Sequence, residues 1–247
     1  GESRRGSADF KGTDFKMKLY SGDLSPYSAK VRMQIYAKAI SDIDIELPPG
    51  FLTGEFHKTS PLARIPVLDL GGDVIPESEV ISEYLEELYP QTPMLGATPR
   101  ETAHIRTVSR IADIYLMNNM FMLGGQTRQS TRDAAVVALL SGQVIRGLKA
   151  LEHYIGEDGF AVSGRLTMAD CTLVPALFLI ENVLPTVGVE NPIPHTPKVA
   201  AYWTAIQQNE HAAKVLVELH RGLVERRELI AKMAAKAKAK AEAQAEG

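Results

Sequence analysis

The sequence predicts an α/β domain followed by an all-helical domain, and three observations carry the prediction. Between Met17 and Tyr89 short strand-like runs alternate with helical ones. Beyond residue 99 every segment reads as helix, and Pro90, Pro93 and Pro99 punctuate the stretch between. A length of 247 residues suits two modest domains.

Residues 1–14 mix Gly, Ser and charge with no apolar period and are read as an expression-derived leader. The α/β domain is placed at 15–92. Residues 18–21 are strand-like, 26–39 helical, and 43–47, 66–70 and 73–75 strands, the last after the Gly71-Gly72 turn. Residues 77–88 read as a helix with Val80, Ile81, Tyr84, Leu85 and Leu88 on one face. Residues 93–99 form the linker. The helical domain, 100–233, holds helices at 100–123, 130–155, 167–183, 197–208 and 211 to about 232. An Ala/Lys/Glu run at 234–247 has helix propensity but no apolar stripe and is expected to be a frayed helical tail.

Composition excludes several classes. At 45% hydrophobic and 23% charged, the chain is neither disordered throughout, collagen-like nor disulfide-stapled. Its unbroken apolar runs are far shorter than the roughly 20 residues that cross a bilayer. Thirty acidic residues against 27 basic give a net charge of −3, with no electrostatic footprint for nucleic acid. The one cysteine, Cys171, has no partner within the chain and suits a reducing compartment. With no secretory leader, the expected location is cytoplasmic, with neither nucleic acid nor membrane as partner.

Four motifs stand out. Ser25-Pro26-Tyr27-Ser28 opens the first helix, and Ser at the N-cap with Pro at the first turn suffices to start any helix. In Ser60-Pro61-Leu62-Ala63-Arg64-Ile65-Pro66 a proline opens a strand. A cis Ile65–Pro66 bond would turn the Ile65 backbone outward to pair with an extended peptide, whereas a trans one reads as a rigid turn. Glu77-Ser78 begins the helix at 77–88, where free N–H groups and a hydroxyl can bind a carboxylate and Glu77 can pair with an ammonium group. At Leu166-Thr167-Met168-Ala169-Asp170, Thr167 and Asp170 have the spacing of a capping box.

In this order, the motifs resemble those of the cytosolic glutathione transferases, over about residues 17 to 230. The resemblance implies a thioredoxin-like N-terminal domain followed by an all-α domain, and a site of the serine type. Ser25 stands where the family keeps its catalytic Ser or Cys. Ile65-Pro66 looks like the residue before the cis-proline, Glu77-Ser78 like the pair that binds the glutamyl end of glutathione, and Thr167-Asp170 like a cap that serves folding. One departure is visible. Many members hold the glycyl carboxylate with a basic or amide side chain after the second strand, but the matching stretch here is Leu52-Thr53. His57 and Arg64 are the candidates to replace it.

The implied cosubstrate is glutathione, without a metal, and the implied partner is a small hydrophobic electrophile. A cysteine thiol has a reference pKa near 8.5, and lowering it by about two units requires roughly 2.7 kcal/mol. A helix N-terminus contributes about 0.3 to 1 kcal/mol and a hydroxyl donated to the thiolate about 1.5 to 3 kcal/mol. Ser25 is thus expected to act as a hydrogen-bond donor, with Tyr20 and Tyr27 as competing donors. The absence of Cys at position 25 argues for conjugation, addition or substitution over a reductase role, and Cys171 reads as a small buried hydrophobe.

The second substrate is expected between the domains, against Tyr115, Leu116, Met117, Met120, Phe121, Met122 and Leu123, although core packing explains most of these equally well. Glutathione-dependent ether cleavage, dehalogenation or isomerisation would need the same thiolate. A non-catalytic binding module is the contrasting reading. A two-fold homodimer is expected.

Overall fold

The computed structural model describes residues 16–245; the leader read at 1–14 and the last two residues of the tail lie outside the described residues. The N-terminal domain is a four-stranded mixed sheet with strand order β2-β1-β3-β4. Strands β1 (Met17–Tyr20) and β2 (Ile43–Glu46) run parallel around helix α1 (Pro26–Ala37). Strands β3 (Val67–Asp69) and β4 (Val74–Pro76) add antiparallel, and α2 (Ser78–Leu88) follows. Leu19 faces Leu68 across the central pair. Both are fully buried with Val31, Ile35, Ile81 and Leu85, each side chain contributing about 1.5–3 kcal/mol.

Helix α1 starts as the sequence predicts, with Ser25 at the N-cap and Pro26 in the first turn. It ends at Ala37, two residues before the expected limit, because Ala39 turns to a left-handed φ of 53°. It is buried on almost every side, although it carries Lys30, Arg32 and Gln34 and has Lys38 at its C-cap. Such burial requires partners. Lys30 pairs with Glu79 on α2. Lys38 Nζ reaches Glu86 at 2.7 Å and the carbonyls of Tyr89 and Thr92. On α2 only part of the expected face is inward: Ile81 and Leu85 are in the core, whereas Val80 and Leu88 are exposed because the helix meets the sheet along a narrower stripe.

The linker is bolted to both domains. Met94 is buried, its N–H donates to Glu86 and its carbonyl accepts from Met168. Arg165 binds the carbonyls of Pro93 and Leu95. The helical domain contains α3 (Pro99–Ile111), α4 (Asn118–Leu123), α5 (Ala134–Tyr154), α6 (Met168–Asn182), α7 (Pro197–Ile206) and α8 (Glu210–Ala245). The single helix expected at 100–123 is interrupted by a π turn at Ala112–Met117, and the helix expected from 130 begins only at Ala134, after a short 3₁₀ turn. The last helix continues well past the expected end near 232, through most of the Ala/Lys/Glu run, which has the propensity to extend it.

Helix α6 is the hub, buried from Met168 to Ile180. Asp170 Oδ2 accepts from the Thr167 N–H (2.8 Å) and hydroxyl (3.1 Å). Its Oδ1 accepts from Ala161 N–H (2.8 Å) and the Tyr202 hydroxyl (3.1 Å), so the cap also ties in a loop and α7. Helix α5 has the length and apolarity for a membrane span, yet Val137, Leu140, Val144, Leu148 and Leu151 pack into the domain core.

Candidate active site

A cleft of about 1200 Å³ runs between the two domains, and Ser25, Ile65, Pro66 and Glu77 all line it. Ser25 sits at the end of the β1–α1 loop, partly exposed, and its Oγ accepts the Ser28 N–H at 3.2 Å. That bond occupies a lone pair and leaves the hydroxyl proton without an acceptor among the described residues. The Ile65–Pro66 bond is cis. Glu77 is exposed, with φ 72° and ψ 117°, and its carboxylate has no ion pair among the described residues. Ser78, by contrast, is 5% exposed and does not line the cleft. The Lys30–Glu79 pair ties the first turn of α2 to α1, so the two helix starts are set relative to each other.

The two tyrosines separate. Tyr20 is turned to the other face of the sheet, where its ring packs on Phe56 and its hydroxyl donates to Asp69 at 2.8 Å. Burial and that hydrogen bond push its pKa up to about 12, and it does not line the cleft, so its placement near the site is corrected. Tyr27 does line the cleft, edge-on to Phe121. Burial and the Asp113 carboxylate push its hydroxyl up. The two candidates for the glycyl carboxylate also separate: His57 is engaged by the Gly54 carbonyl outside the cleft, whereas Arg64 lines it, 5.1 Å from the Phe121 ring centroid. Arg64 has no ion pair among the described residues.

The far wall is only partly as expected. Met120, Phe121 and Met122 line the cleft, whereas Leu116, Met117 and Leu123 are fully buried in the core and Tyr115 lies outside the cleft. Residues not singled out from sequence complete it: Arg110, Asp113, Ile114 and Asn118 on one side, and Leu223, Arg226, Arg227 and Ile230 of α8 on the other. The spacing of Leu223, Arg226, Arg227 and Ile230 on a helix was the available signal for the α8 face. Cys171 is buried beneath α1, and burial pushes its thiol up.

The β1–α1 loop is held from α8. Arg32, 2% exposed, donates to Ser21 Oγ (2.7 Å) and to the carbonyls of Gly22 and Asp23 (both 3.0 Å), and its Nε pairs with Glu218. Arg221 pairs with Asp23 at 2.6 Å. At Gly222 an added Cβ would lie 2.6 Å from the Leu24 backbone nitrogen.

A mixed four-stranded sheet, a helical second domain and a largely apolar cleft between them define a two-domain protein built to hold a small ligand between its domains. Residues 19–93 match the model of the glutathione S-transferase N-terminal domain and residues 134–204 that of the C-terminal domain. Over 177 residues the chain is 32% identical to a maleylacetoacetate isomerase of Pseudomonas aeruginosa, covering 67% of this chain and 82% of that protein. It is 32% identical over 172 residues to a zeta-class glutathione S-transferase of Euphorbia esula, covering 66% of this chain and 75% of the relative. A glutathione S-transferase of Methylobacterium radiotolerans, solved with glutathione sulfonate, superposes with a TM-score of 0.70 at 21% identity, over 82% of this chain and 95% of that one. The chain belongs to the glutathione S-transferase family and is an enzyme of that family.

Proposed function

We propose that the protein uses glutathione as cosubstrate and presents its thiolate to an apolar electrophile held in the cleft. The observation that carries this reading is the hydroxyl of Ser25: its proton is uncommitted, it stands at a helix N-terminus, and it shares one cleft with Ile65 and Glu77. Glutathione supplies the nucleophilic sulfur. Ser25 donates its hydroxyl to that sulfur and favours the thiolate, and the N-terminal end of α1 adds its dipole. The exposed Glu77 carboxylate holds the glutamyl ammonium, the free N–H groups at the start of α2 take the glutamyl carboxylate while the Ser78 side chain stays buried beneath them, and the Ile65 backbone pairs with the cysteinyl residue. Arg64 takes the glycyl carboxylate.

The relatives named maleylacetoacetate isomerase favour isomerisation of an electrophilic double bond as the reaction, with conjugation as the second reading. Both need the same thiolate. A homodimer and a cytoplasmic location belong to the same proposal. Exposed Val80 and Leu88 on α2 support the dimer, and a lone buried cysteine the reducing compartment. Calorimetric titration of glutathione into the wild type and Glu77→Gln tests the site. Saturable binding, weakened about tenfold or more by loss of the charged partner, is expected. No binding to the wild type at millimolar glutathione contradicts the reading.

A further inference from the structure

The wall of the cleft opposite Ser25 is made by a helix that changes its winding. In the π turn the N–H of Asn118 donates to the carbonyl of Asp113, five residues back, and the turn carries one residue more than an α-helical turn would. The consequence shows in which side chains face the cleft. Arg110, Ile114, Asn118 and Met122 line it at intervals of four, while Met117 stays fully buried in the core. An uninterrupted α-helix places the residue seven after Arg110, which is Met117, on the cleft face, because each residue advances about 100°. The extra residue therefore keeps Met117 inside and brings Asn118 and Met122 to the second-substrate side.

Two features hold this winding. The Asn119 side chain is 6% exposed, and its Nδ2 donates to the carbonyls of Ile114 (3.1 Å) and Tyr115 (2.8 Å), both within the π turn. From the other side Gly147 of α5 lies so close that an added Cβ would be 2.7 Å from both Tyr115 Cβ and Leu116 Cδ2.

We propose that Asn119 is a positioning residue for the second substrate: its amide holds the π turn, and the π turn selects which side chains of this helix meet the electrophile. The inference rests on the cleft having the function proposed above. It places a determinant of electrophile specificity at a residue that touches neither substrate, and separates that determinant from the glutathione half of the site.

The test measures the affinities of glutathione, S-hexylglutathione and the apolar dye anilinonaphthalene sulfonate for the wild type, Asn119→Ala and Asn119→Ser. Asn119→Ala removes both bonds, and affinity for S-hexylglutathione and the dye is expected to fall about fivefold to tenfold while glutathione binding stays within about twofold. A Ser hydroxyl bonds back to the carbonyl four residues earlier, so Asn119→Ser restores most of the loss. Should Asn119→Ala fail to fold, Gly147→Ala presses on the same turn from α5 and must give the same split. Affinities that fall together, or none that move, overturn the inference, as does a wild type that binds no dye. A wild type that takes up the dye but no glutathione contradicts the proposed function instead, and the dye still reads the role of Asn119.

Discussion

Arg32 and Glu218, 186 positions apart in sequence, join the first helix of the α/β domain to the last helix of the other through a bond of 2.7 Å from Nε to Oε2. Glu218 also accepts the Tyr36 hydroxyl at 2.7 Å, and Arg32 gives three further hydrogen bonds to the loop that ends in Ser25. Helix α8 is thus part of the support of the candidate catalytic loop and not merely a cover for the second domain.

Removing the acid leaves a buried guanidinium without its counter-charge. Glu218→Ala is expected to cost about 3–5 kcal/mol in urea unfolding, and Glu218→Gln, which keeps acceptors for Arg32 and Tyr36, appreciably less. A loss under about 1 kcal/mol for the alanine variant would show the pair to be dispensable.

Gly222 makes a sharper test of the same contact. An added methyl at 2.6 Å from the Leu24 nitrogen meets backbone that has no rotamer to change. Gly222→Ala is expected to destabilise by about 1–3 kcal/mol and to move the Ser21–Leu24 amide signals in NMR spectra. A variant with wild-type stability and unshifted loop signals would show that α8 does not constrain the loop.

Arg64 separates from His57 in binding. If Arg64 holds the glycyl carboxylate, Arg64→Ala loses a charge-assisted bond and weakens glutathione by about ten- to a hundredfold, whereas His57→Ala changes little. The reverse order in calorimetry would move the role to His57.

Asp170 carries a pH signature. Burial pushes its carboxyl up to about 6 from an ordinary 3.8, even with four hydrogen bonds to its oxygens. Its folded pKa exceeds the unfolded one, so between those values the folded state holds a proton the unfolded chain has released. This group's contribution therefore favours folding below about 4 and is lost as pH rises through 6. The carboxyl carbon of Asp170 is expected to titrate near 6 by NMR. An ordinary midpoint near 4 would contradict the burial argument. Asp170→Ala strands two buried N–H groups and is expected to cost about 3 kcal/mol or more.

What is legible in the sequence is what is local. Ser25 and Pro26 start a helix by their own chemistry, Thr167 and Asp170 sit three apart, and the switch from strand-like alternation to helical periods marks the two domains. Glu77 and Ile65 stand out only through the order of the short motifs that carry them, and the fold brings both to one cleft. The α8 clamp is not legible, since Gly222 contacts Leu24 only after the chain has folded. Nor is the π turn: one added residue shifts the phase of the pattern without breaking it, so 100–123 reads as one helix. The buried charges of α1 are hidden for a related reason. The partners of Lys30, Arg32 and Lys38, which are Glu79, Glu218 and Glu86, lie far off in sequence and come from other elements.

The most direct test of the account is the ionisation of bound glutathione, followed by thiolate absorbance across pH in the wild type and Ser25→Ala. The wild-type thiol is expected to titrate about two units below its reference value near 8.5, and the variant to return upward by about one to two units, the equivalent of one charge-assisted hydrogen bond. Identical ionisation in the two proteins would contradict the role of Ser25 and transfer it to Tyr27 or to the helix N-terminus alone.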